Sequence, residues 1–312
     1  MSKAKNMKCH LTIFEIPYFL TFFPIYTMSV TKHSSSGRER DTRNLDASLP
    51  DVGSVKDLRA DPSGERLEFF GYRHTIYREH ILRYRFALQN IPDLKRSNVL
   101  DVGCGVGYGS AALARKAKHV VGIDNSRKAL ERGEKKYVKG VTGRKQVSNL
   151  SLRQMSAEAI SFPDDSFDHV VSFENLEHLE HPEKMLAGVR RVLKNGGVLI
   201  LSTPNKKSFR QIDGKPINPF HIREFTKEEL EGMLKEHFSE VEFYGQSFLS
   251  DKESDRRDKV QLAVSLDKLR LRRLVPRQIR TLLKGKTKKG AAIAPLKDNP
   301  GKTPEYFIVV CR

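Results

Sequence analysis

Cysteine is scarce in this sequence. Only Cys9, Cys104 and Cys311 occur among its 312 residues, and they lie far apart along the chain. Three scattered cysteines match neither a disulfide framework nor the paired spacing of a structural zinc site. We therefore predict no metal site. Reduced cysteines are typical of the cytoplasm, which is the location we expect.

The sequence also lacks an apolar run that is long enough to cross a membrane. A charge-free stretch covers residues 16–31, but a spanning helix requires about 20 apolar residues. Three lysines precede the apolar region, as in a signal peptide. However, Glu15 lies immediately before the charge-free stretch, two prolines interrupt the stretch, and no small-residue cleavage site follows. We interpret residues 1–65 as a disordered extension, or as a mis-annotated start if translation begins at Met28. A peripheral membrane contact and a spanning anchor are the weaker alternatives.

Acidic residues are fewer than basic ones. The chain has 56 Lys and Arg against 38 Asp and Glu, and residues 251–312 alone hold 17 basic and 7 acidic side chains. Within this region, residues 266–289 interleave leucines with arginines, and Pro276 limits them to short helices. Such a segment fits peripheral contact with an anionic membrane. Its leucines could equally pack on the domain, and because it lacks interleaved aromatic residues, RNA binding ranks third.

After Pro92, short apolar runs alternate with amphipathic segments of helical length. This alternation predicts an α/β fold, specifically a Rossmann-like, seven-stranded, mostly parallel sheet with helices on both faces and an antiparallel last strand. The predicted parts are a helical cover (66–97), the core (98–250), a basic insertion (251–303) and the final core strand (304–312). We expect strands at 98–101, 119–124, 150–154, 169–173, 198–203, 241–245 and 306–311, and helices at 75–89, 109–116, 127–139, 183–193 and from Thr226 to His237.

A glycine-rich loop follows the first predicted strand and begins a helix. Its glycines occupy alternate positions, whereas a dinucleotide site requires G-x-G-x-x-G, and the last position of that pattern is Tyr108 or Ser110 here. The spacing therefore favours a ligand without a pyrophosphate. Asp101, which precedes the loop, can order it and attract a cationic amino-acid group. The alternative is a tight turn without a ligand, but four glycines beside an acid make this alternative less favourable. The four glycines are Gly103, Gly105, Gly107 and Gly109.

Two further signals follow the second and third predicted strands. Asp124 lies 23 residues after Asp101, where an acid can accept hydrogen bonds from both hydroxyls of a ribose. It could instead cap the following helix, although Asn125 and Ser126 are equally suitable caps. Residues 156–158 (SAE) are placed to contact the edge of an adenine, which is a weaker signal because the tripeptide is common.

Together, residues 99–109, 120–124, 156–179 and 190–205 resemble class I S-adenosylmethionine-dependent methyltransferases with type 11 or type 23 domains. The likeness extends over about residues 98–250. It implies S-adenosylmethionine as cofactor. Ser156 departs from the family pattern, which often has Asp near the adenine amine. The cofactor contacts that the resemblance implies are Asp101, Gly103, Gly105, Gly107, Asp124, Ala157 and Glu158.

A narrower resemblance concerns the acceptor. Residues 79–87 (EHILRYRFA), GYGS in the loop and 218–226 (NPFHIREFT) resemble methyltransferases that accompany glycosyltransferases in polysaccharide and glycolipid assembly. This likeness implies O-methylation of a hydroxyl in a glycan precursor or glycolipid. A small metabolite such as a quinone or lipid, and RNA held by the basic segment, are the alternatives. The intact loop and Asp124 argue against a non-catalytic scaffold.

A hydroxyl acceptor must lose its proton, so a general base is expected at the carboxyl ends of the strands. The run after the fourth predicted strand contains Glu174 and His178, and histidine has a suitable ordinary pKa. A structural role for this Glu-His pair is the equal alternative. Residues 218–225 are expected to project over the pocket, with a solvated loop as the alternative. Arg83 could pair with the cofactor carboxylate, but a solvated helix face is the favoured interpretation. The predicted catalytic residues are Glu177, His178 and His221, and the predicted substrate contacts are His181 and Arg223.

Overall fold

The computed structural model of the protein describes residues 73–139, 146–209, 211–212, 214–216, 218–249, 293–301 and 303–312. The predicted extension 1–65 and most of the basic insertion, including residues 266–289, lie outside the described residues. Among the helices that are described, none is long and apolar enough to cross a membrane.

The described residues contain alternating helices and strands, as the sequence pattern predicts. The helices are α1 (Arg73–Asn90), α2 (Tyr108–Ala114), α3 (Arg127–Gly133), α4 (Pro182–Val192) and α5 (Lys227–Lys235). The strands are β1 (Asn98–Val102), β2 (His119–Asp124), β3 (Leu150–Gln154), β4 (Phe167–Phe173), β5 (Leu193–Pro204), β6 (Gln211–Ile212), β7 (Lys215–Pro216), β8 (Val241–Leu249), β9 (Ile293–Pro295) and β10 (Thr303–Cys311).

The main sheet has the order β3-β2-β1-β4-β5-β10-β8-β9. The first five strands are parallel, with Val99 opposite Val120 in β2. β10 is antiparallel to both β5 and β8, so the predicted mostly parallel Rossmann-like sheet with an antiparallel last strand is confirmed. The described sheet also has an eighth strand, because β9 pairs with β8 inside the segment predicted as insertion.

Apolar residues fill both faces of the sheet, since successive strand residues point in opposite directions. Val99 packs in one core with Leu113 of α2, whereas its neighbour Leu100 packs in the other with Leu186 of α4 and Leu230 of α5. The parallel strands are therefore covered by helices on both faces, as parallel sheets require. This arrangement leaves the carboxyl ends of β1 to β5 along one edge.

Two helix starts follow local sequence signals. Thr226 forms the predicted capping box with Glu229 at the start of α5. The Ser126 side chain accepts a hydrogen bond from the Ala129 amide and caps α3. Several boundaries differ from prediction by a few residues. The start of β5 is one of them: it begins at Leu193 because this residue pairs with Phe167, where the sequence suggested that a helix ended and a turn followed.

Candidate active site

The glycine-rich loop bends over the end of β2. Gly103, Gly105 and Gly107 have φ angles of 75°, 58° and 73°, which few residues other than glycine adopt readily. The amides of Gly103 and Cys104 both donate to the Ile123 carbonyl oxygen at 2.9 Å. A Cβ at Gly103 would lie 2.7 Å from the Asn175 side chain, whereas a Cβ at Gly105 would meet no atom within 4 Å. The backbone at Gly105 therefore faces a space that a ligand can enter.

Asp101 is fully buried at the end of β1 and connects α1 to α2. Its carboxylate accepts hydrogen bonds from the Ser110 hydroxyl at 2.6 Å and from the Tyr84 hydroxyl at 3.1 and 3.2 Å. Burial raises the pKa of Asp101 to about 7, although both hydrogen bonds act in the opposite direction. The hydrogen bonds of Asp101 thus hold the two helices that flank the loop.

Asp124 supports the loop from the end of β2. Its Oδ2 accepts a hydrogen bond from the Gly105 amide at 2.8 Å, and its Oδ1 accepts one from the Ser126 amide at 2.8 Å. Since Ser126 supplies the side-chain cap of α3, capping is not the role of Asp124. The carboxylate is positioned by backbone groups on two sides, at the point where the resemblance implies a ribose contact.

The third predicted cofactor segment follows β3. The Ser156 hydroxyl accepts a hydrogen bond from the Glu158 amide at 3.2 Å, and Ala157 is buried. Glu158 Oε1 accepts a hydrogen bond from the His181 amide at 2.7 Å, so this loop is joined to the start of α4. Because β3, β2 and β1 are neighbours in the sheet, the cofactor residues predicted from three separate loops all lie along one edge.

Glu177 is the most deeply buried acid at the end of β4. It lies in a 3-10 turn, Leu176–His178, and its side chain is 1% exposed. Oε2 accepts a hydrogen bond from the Thr203 hydroxyl at 3.0 Å, whereas Oε1 has no hydrogen-bond partner among the described residues. Burial, reinforced by the nearby Glu174 carboxylate, holds the pKa of Glu177 well above its usual range.

His178 and His221 meet beside this glutamate. Their ring centroids lie 5.0 Å apart, and His178 Nε2 lies 4.0 Å from Glu177 Oε1. His178 Nδ1 contacts the Phe220 carbonyl oxygen at 2.8 Å, and because a carbonyl only accepts, Nδ1 carries the hydrogen. The Ile222 amide also donates to the Glu177 carbonyl at 2.9 Å. The structure therefore brings together the three predicted catalytic residues, although His221 lies 43 residues after His178 in the sequence.

Both nitrogens of His221 have partners within its own segment. Nδ1 lies 2.9 Å from the Glu224 carboxylate, and Nε2 lies 2.7 Å from the amide nitrogen of Asn218. Because the carboxylate can only accept and the amide nitrogen can only donate, Nδ1 is the protonated nitrogen. Residues 218–225 are thus an ordered arch over the end of β4.

The two predicted substrate residues lie outside this cluster. The His181 ring contacts Glu183 at 3.1 Å with its side chain half exposed. The exposed Arg223 donates to the Glu180 carbonyl at 3.4 Å. His181 is therefore held by Glu183 of α4, and Arg223 by the Glu180 carbonyl and the Phe225 ring, whose centre lies 6.0 Å from the guanidinium carbon. Contact of either side chain with substrate stays a prediction.

The burial of Arg83 contradicts the sequence-based interpretation. It was expected on a solvated helix face, but it is fully buried. Its Nε donates to Gln246 Oε1 of β8 at 2.8 Å, Nη1 lies 3.4 Å from the Glu174 carboxylate, and the guanidinium stacks 4.4 Å from the centre of the Tyr306 ring. The signal that could have located it is its place next to Tyr84 on the periodic apolar face of α1.

Glu174 begins the turn after β4 in an unusual conformation. Its φ of 51° is uncommon for a residue that is not glycine. The conformation is held by hydrogen bonds to Ser202 of β5, whose carbonyl accepts from the Glu174 amide and whose hydroxyl donates to the carboxylate at 2.8 Å. Strained backbone of this kind is concentrated at functional sites.

Comparisons with known proteins agree with this geometry. A methyltransferase-domain family model matches residues 100–201. The chain is 34% identical over 197 residues to a probable S-adenosylmethionine-dependent methyltransferase of Mycolicibacterium smegmatis, with 63% of this chain and 69% of that relative covered. It is 32% identical over 126 residues to a ubiquinone biosynthesis O-methyltransferase of Alkalilimnicola ehrlichii, with 40% and 49% covered. The chain thus spans about half the length of the latter.

A solved structure resembles the fold. It is described as an S-adenosylmethionine-dependent methyltransferase and possible histamine N-methyltransferase from Thermotoga maritima. The TM-score is 0.52 at 15% identity, and the match covers 77% of this chain and 92% of that one. At this identity, the likeness establishes the shared fold alone.

Proposed function

Because the chain belongs to the S-adenosylmethionine-dependent methyltransferases, we propose that it methylates a hydroxyl of a glycan precursor or glycolipid. The observation that carries the hydroxyl chemistry is the histidine beside the buried Glu177. His178 keeps its hydrogen on Nδ1 through the Phe220 carbonyl, so Nε2 is the nitrogen that takes a proton. The glycan class of the acceptor rests on the resemblance of residues 79–87 and 218–226.

The residues of the loop edge fit the cofactor. Gly105 borders open space, so a ligand can approach the backbone there. The Asp124 carboxylate is held beside it by two backbone amides and would hold the ribose hydroxyls. Asp101 supplies a negative charge for the cationic amino-acid group. When bound, the cofactor supplies a methyl group on a sulfonium, whose thioether is a good leaving group.

The remaining work of the protein is to orient the acceptor and remove its proton. His178 Nε2 would accept the hydroxyl proton while Nδ1–H stays on the Phe220 carbonyl. The imidazolium formed would be stabilised by Glu177, whose Oε1 lies 4.0 Å from Nε2, once that carboxyl is ionised. His221 contacts the His178 ring edge to face and would fix its orientation. We propose His181 and Arg223, near the start of α4, as contacts for the outer part of a larger acceptor.

A quinone acceptor is the second candidate, supported by the ubiquinone O-methyltransferases among the relatives. A phenolic hydroxyl needs the same base. RNA and membrane contact by residues 266–289 stay predictions, because that segment lies outside the described residues. Liposome flotation of the full chain and of a 266–289 deletion tests the membrane contact, which equal flotation would contradict.

Transfer of a radiolabelled methyl group from S-adenosylmethionine tests the proposal. The panel of acceptors is a glycan and glycolipid extract, a hydroxylated quinone and RNA. We expect label in the glycan fraction and a loss on the order of 10²- to 10⁴-fold for His178→Ala, with cofactor affinity unchanged in calorimetry. His119→Ala is the matched control, because His119 lies at the opposite end of β2. Label confined to the quinone or RNA would refute the glycan acceptor, and full activity of His178→Ala would refute the base.

A further inference from the structure

We propose that Glu177, His178 and His221 bind a divalent transition-metal ion of the zinc type. One ligand atom from each residue lies within 4.8 Å of the others. Two imidazoles with one carboxylate form the donor set of His₂Glu zinc sites and of related iron sites. This site departs from the prediction of no metal, because its ligands are separated in the sequence and include no cysteine.

The orientation of both imidazoles matches that of metal ligands. Histidines that bind metals usually donate the hydrogen of their other ring nitrogen to a carboxylate or a backbone carbonyl. His178 does so through Nδ1 to the Phe220 carbonyl at 2.8 Å, and His221 does so through Nδ1 to Glu224 at 2.9 Å. Glu224 is in turn held by the Gln211 amide at 2.8 Å. Nε2 is therefore the metal-binding nitrogen of both rings.

The buried carboxylate supplies an independent reason. Glu177 Oε1 has no hydrogen-bond partner among the described residues, although Oε2 is fixed by Thr203. A buried oxygen without a partner is costly, and a cation between Oε1 and the two imidazoles would remove this cost. Oε1 is 4.0 Å from His178 Nε2, which places it at the side of the cluster where the ion would lie.

Metal binding requires the three ligands to move closer together and one side chain, Asn218, to rotate. Two ligands at about 2.1 Å from a tetrahedral ion lie roughly 3.4 Å apart, so the present spacings of up to 4.8 Å would contract by at most about 1.4 Å. The Asn218 amide, which donates to His221 Nε2 at 2.7 Å, would have to rotate away. Its side-chain oxygen also accepts from the Phe220 amide, so the arch would adjust when the ion binds.

The consequence for catalysis rests on the proposed function, whereas metal binding does not. An ion on His178 Nε2 would occupy the nitrogen that the proposed function uses as its base. Added Co²⁺ or Zn²⁺ should therefore suppress methyl transfer, and a chelator should restore it.

Cobalt titration of the untagged, chelator-treated full chain tests the site. We expect one Co²⁺ per chain with the visible absorption of a nitrogen-ligated ion, competition by Zn²⁺, and affinity at least tenfold weaker in His178→Ala and His221→Ala. Glu177→Gln keeps the side-chain volume and an acceptor for Thr203, so it remains informative if an alanine variant does not fold. Glu224→Gln should weaken binding about 10- to 100-fold, as expected for an outer partner.

His119→Ala is again the matched control and should bind Co²⁺ like the wild type. Absence of a saturable spectrum, or a spectrum unchanged in His178→Ala, His221→Ala and Glu177→Gln, would overturn the site. Methyl transfer that fails for every acceptor in the metal-free chain, while cobalt binding persists, would refute the proposed function and leave the site intact.

Discussion

Cofactor affinity should fall as the pH drops below about 7, because Asp101 must be ionised to attract a cationic group. This carboxyl is fully buried, and burial raises its pKa to about 7 in the cofactor-free protein. Below that pH the protein keeps a proton on Asp101 that has to be lost when the cofactor binds. Cofactor binding and proton release are therefore linked.

The magnitude follows from the ionised fraction of Asp101. With a pKa of about 7, roughly three quarters of the molecules are ionised at pH 7.5 and about 3% at pH 5.5, so affinity should fall about 25-fold. The affinity prediction is limited to pH values up to 7.5. Above that pH, α-amino groups such as the cationic group of the cofactor begin to lose their own proton, since their pKa values are about 7.7–8.0.

The same shift makes the cofactor-free protein less stable as the pH rises. Between the ordinary pKa of 3.8 and about 7, the folded chain keeps the Asp101 proton and the unfolded chain does not. The free energy of unfolding that the raised pKa of Asp101 contributes is fully present below pH 3.8. It is lost as the pH rises through about 7. The loss is about 4 kcal/mol for a shift of this size. Asp101→Asn should remove this pH dependence.

Calorimetry with S-adenosylhomocysteine measures the linkage, because this product carries the amino-acid group without a transferable methyl. Binding heats in two buffers of different ionisation enthalpy give the number of protons released. Burial also raises the pKa of Glu79 to about 7, so Asp101→Asn is needed to assign the effect. A wild-type affinity that is constant from pH 5.5 to 7.5, or that changes equally in Asp101→Asn, would refute the reasoning.

Three further outcomes can be measured. Asp124→Ala should weaken cofactor binding at least tenfold, since it removes a charged acceptor, and unaltered affinity in calorimetry would contradict the ribose contact. Gly103→Ala should lower the free energy of unfolding more than Gly105→Ala. Both glycines have positive φ, but only a Cβ at Gly103 would meet a side chain. Equal urea midpoints for the two variants would contradict this. Arg83→Met should cost about 3–5 kcal/mol in urea unfolding by leaving Glu174 without its buried partner, and a loss under 1 kcal/mol would show that the ion pair is not needed.

The sequence predicted what depends on local signals. The predicted bounds of β2 and β3 agree with the structure, as does the capping box at Thr226. The short apolar runs of strands and the capping residues of helices are both patterns among residues that are close together in the sequence. The glycine spacing also predicted the loop and argued against a dinucleotide, whereas S-adenosylmethionine was implied by the family resemblance. The burial of Arg83 was missed because arginine is usually exposed, although its place on the apolar face of α1 was a local signal. Its partner Gln246 could not be predicted, since it lies 163 residues away and no local pattern indicates such a pair.

Other features of the site were missed for related reasons. The β9 strand has three residues and ends in proline, too short to show alternation. The carbonyl that orients His178 belongs to Phe220, 42 residues further on, and backbone groups carry no sequence signal. The residue types of a site can therefore be predicted, but not which nitrogen of a histidine faces the reaction.

The strand order has a consequence for how the chain is made. β10 follows β8 and β9 in the sequence but lies between β5 and β8 in the sheet. During synthesis, β8 and β9 cannot join the main sheet until β10 has been made, because β10 lies between them and β5. The contacts of Arg83 also form late, because β8 supplies Gln246 and β10 supplies Tyr306. The first described helix can dock earlier through Tyr84 and Asp101, but the contacts of Arg83 are complete only after β10 has formed. A nascent chain that lacks β10 also exposes the edge of β5 to aggregation.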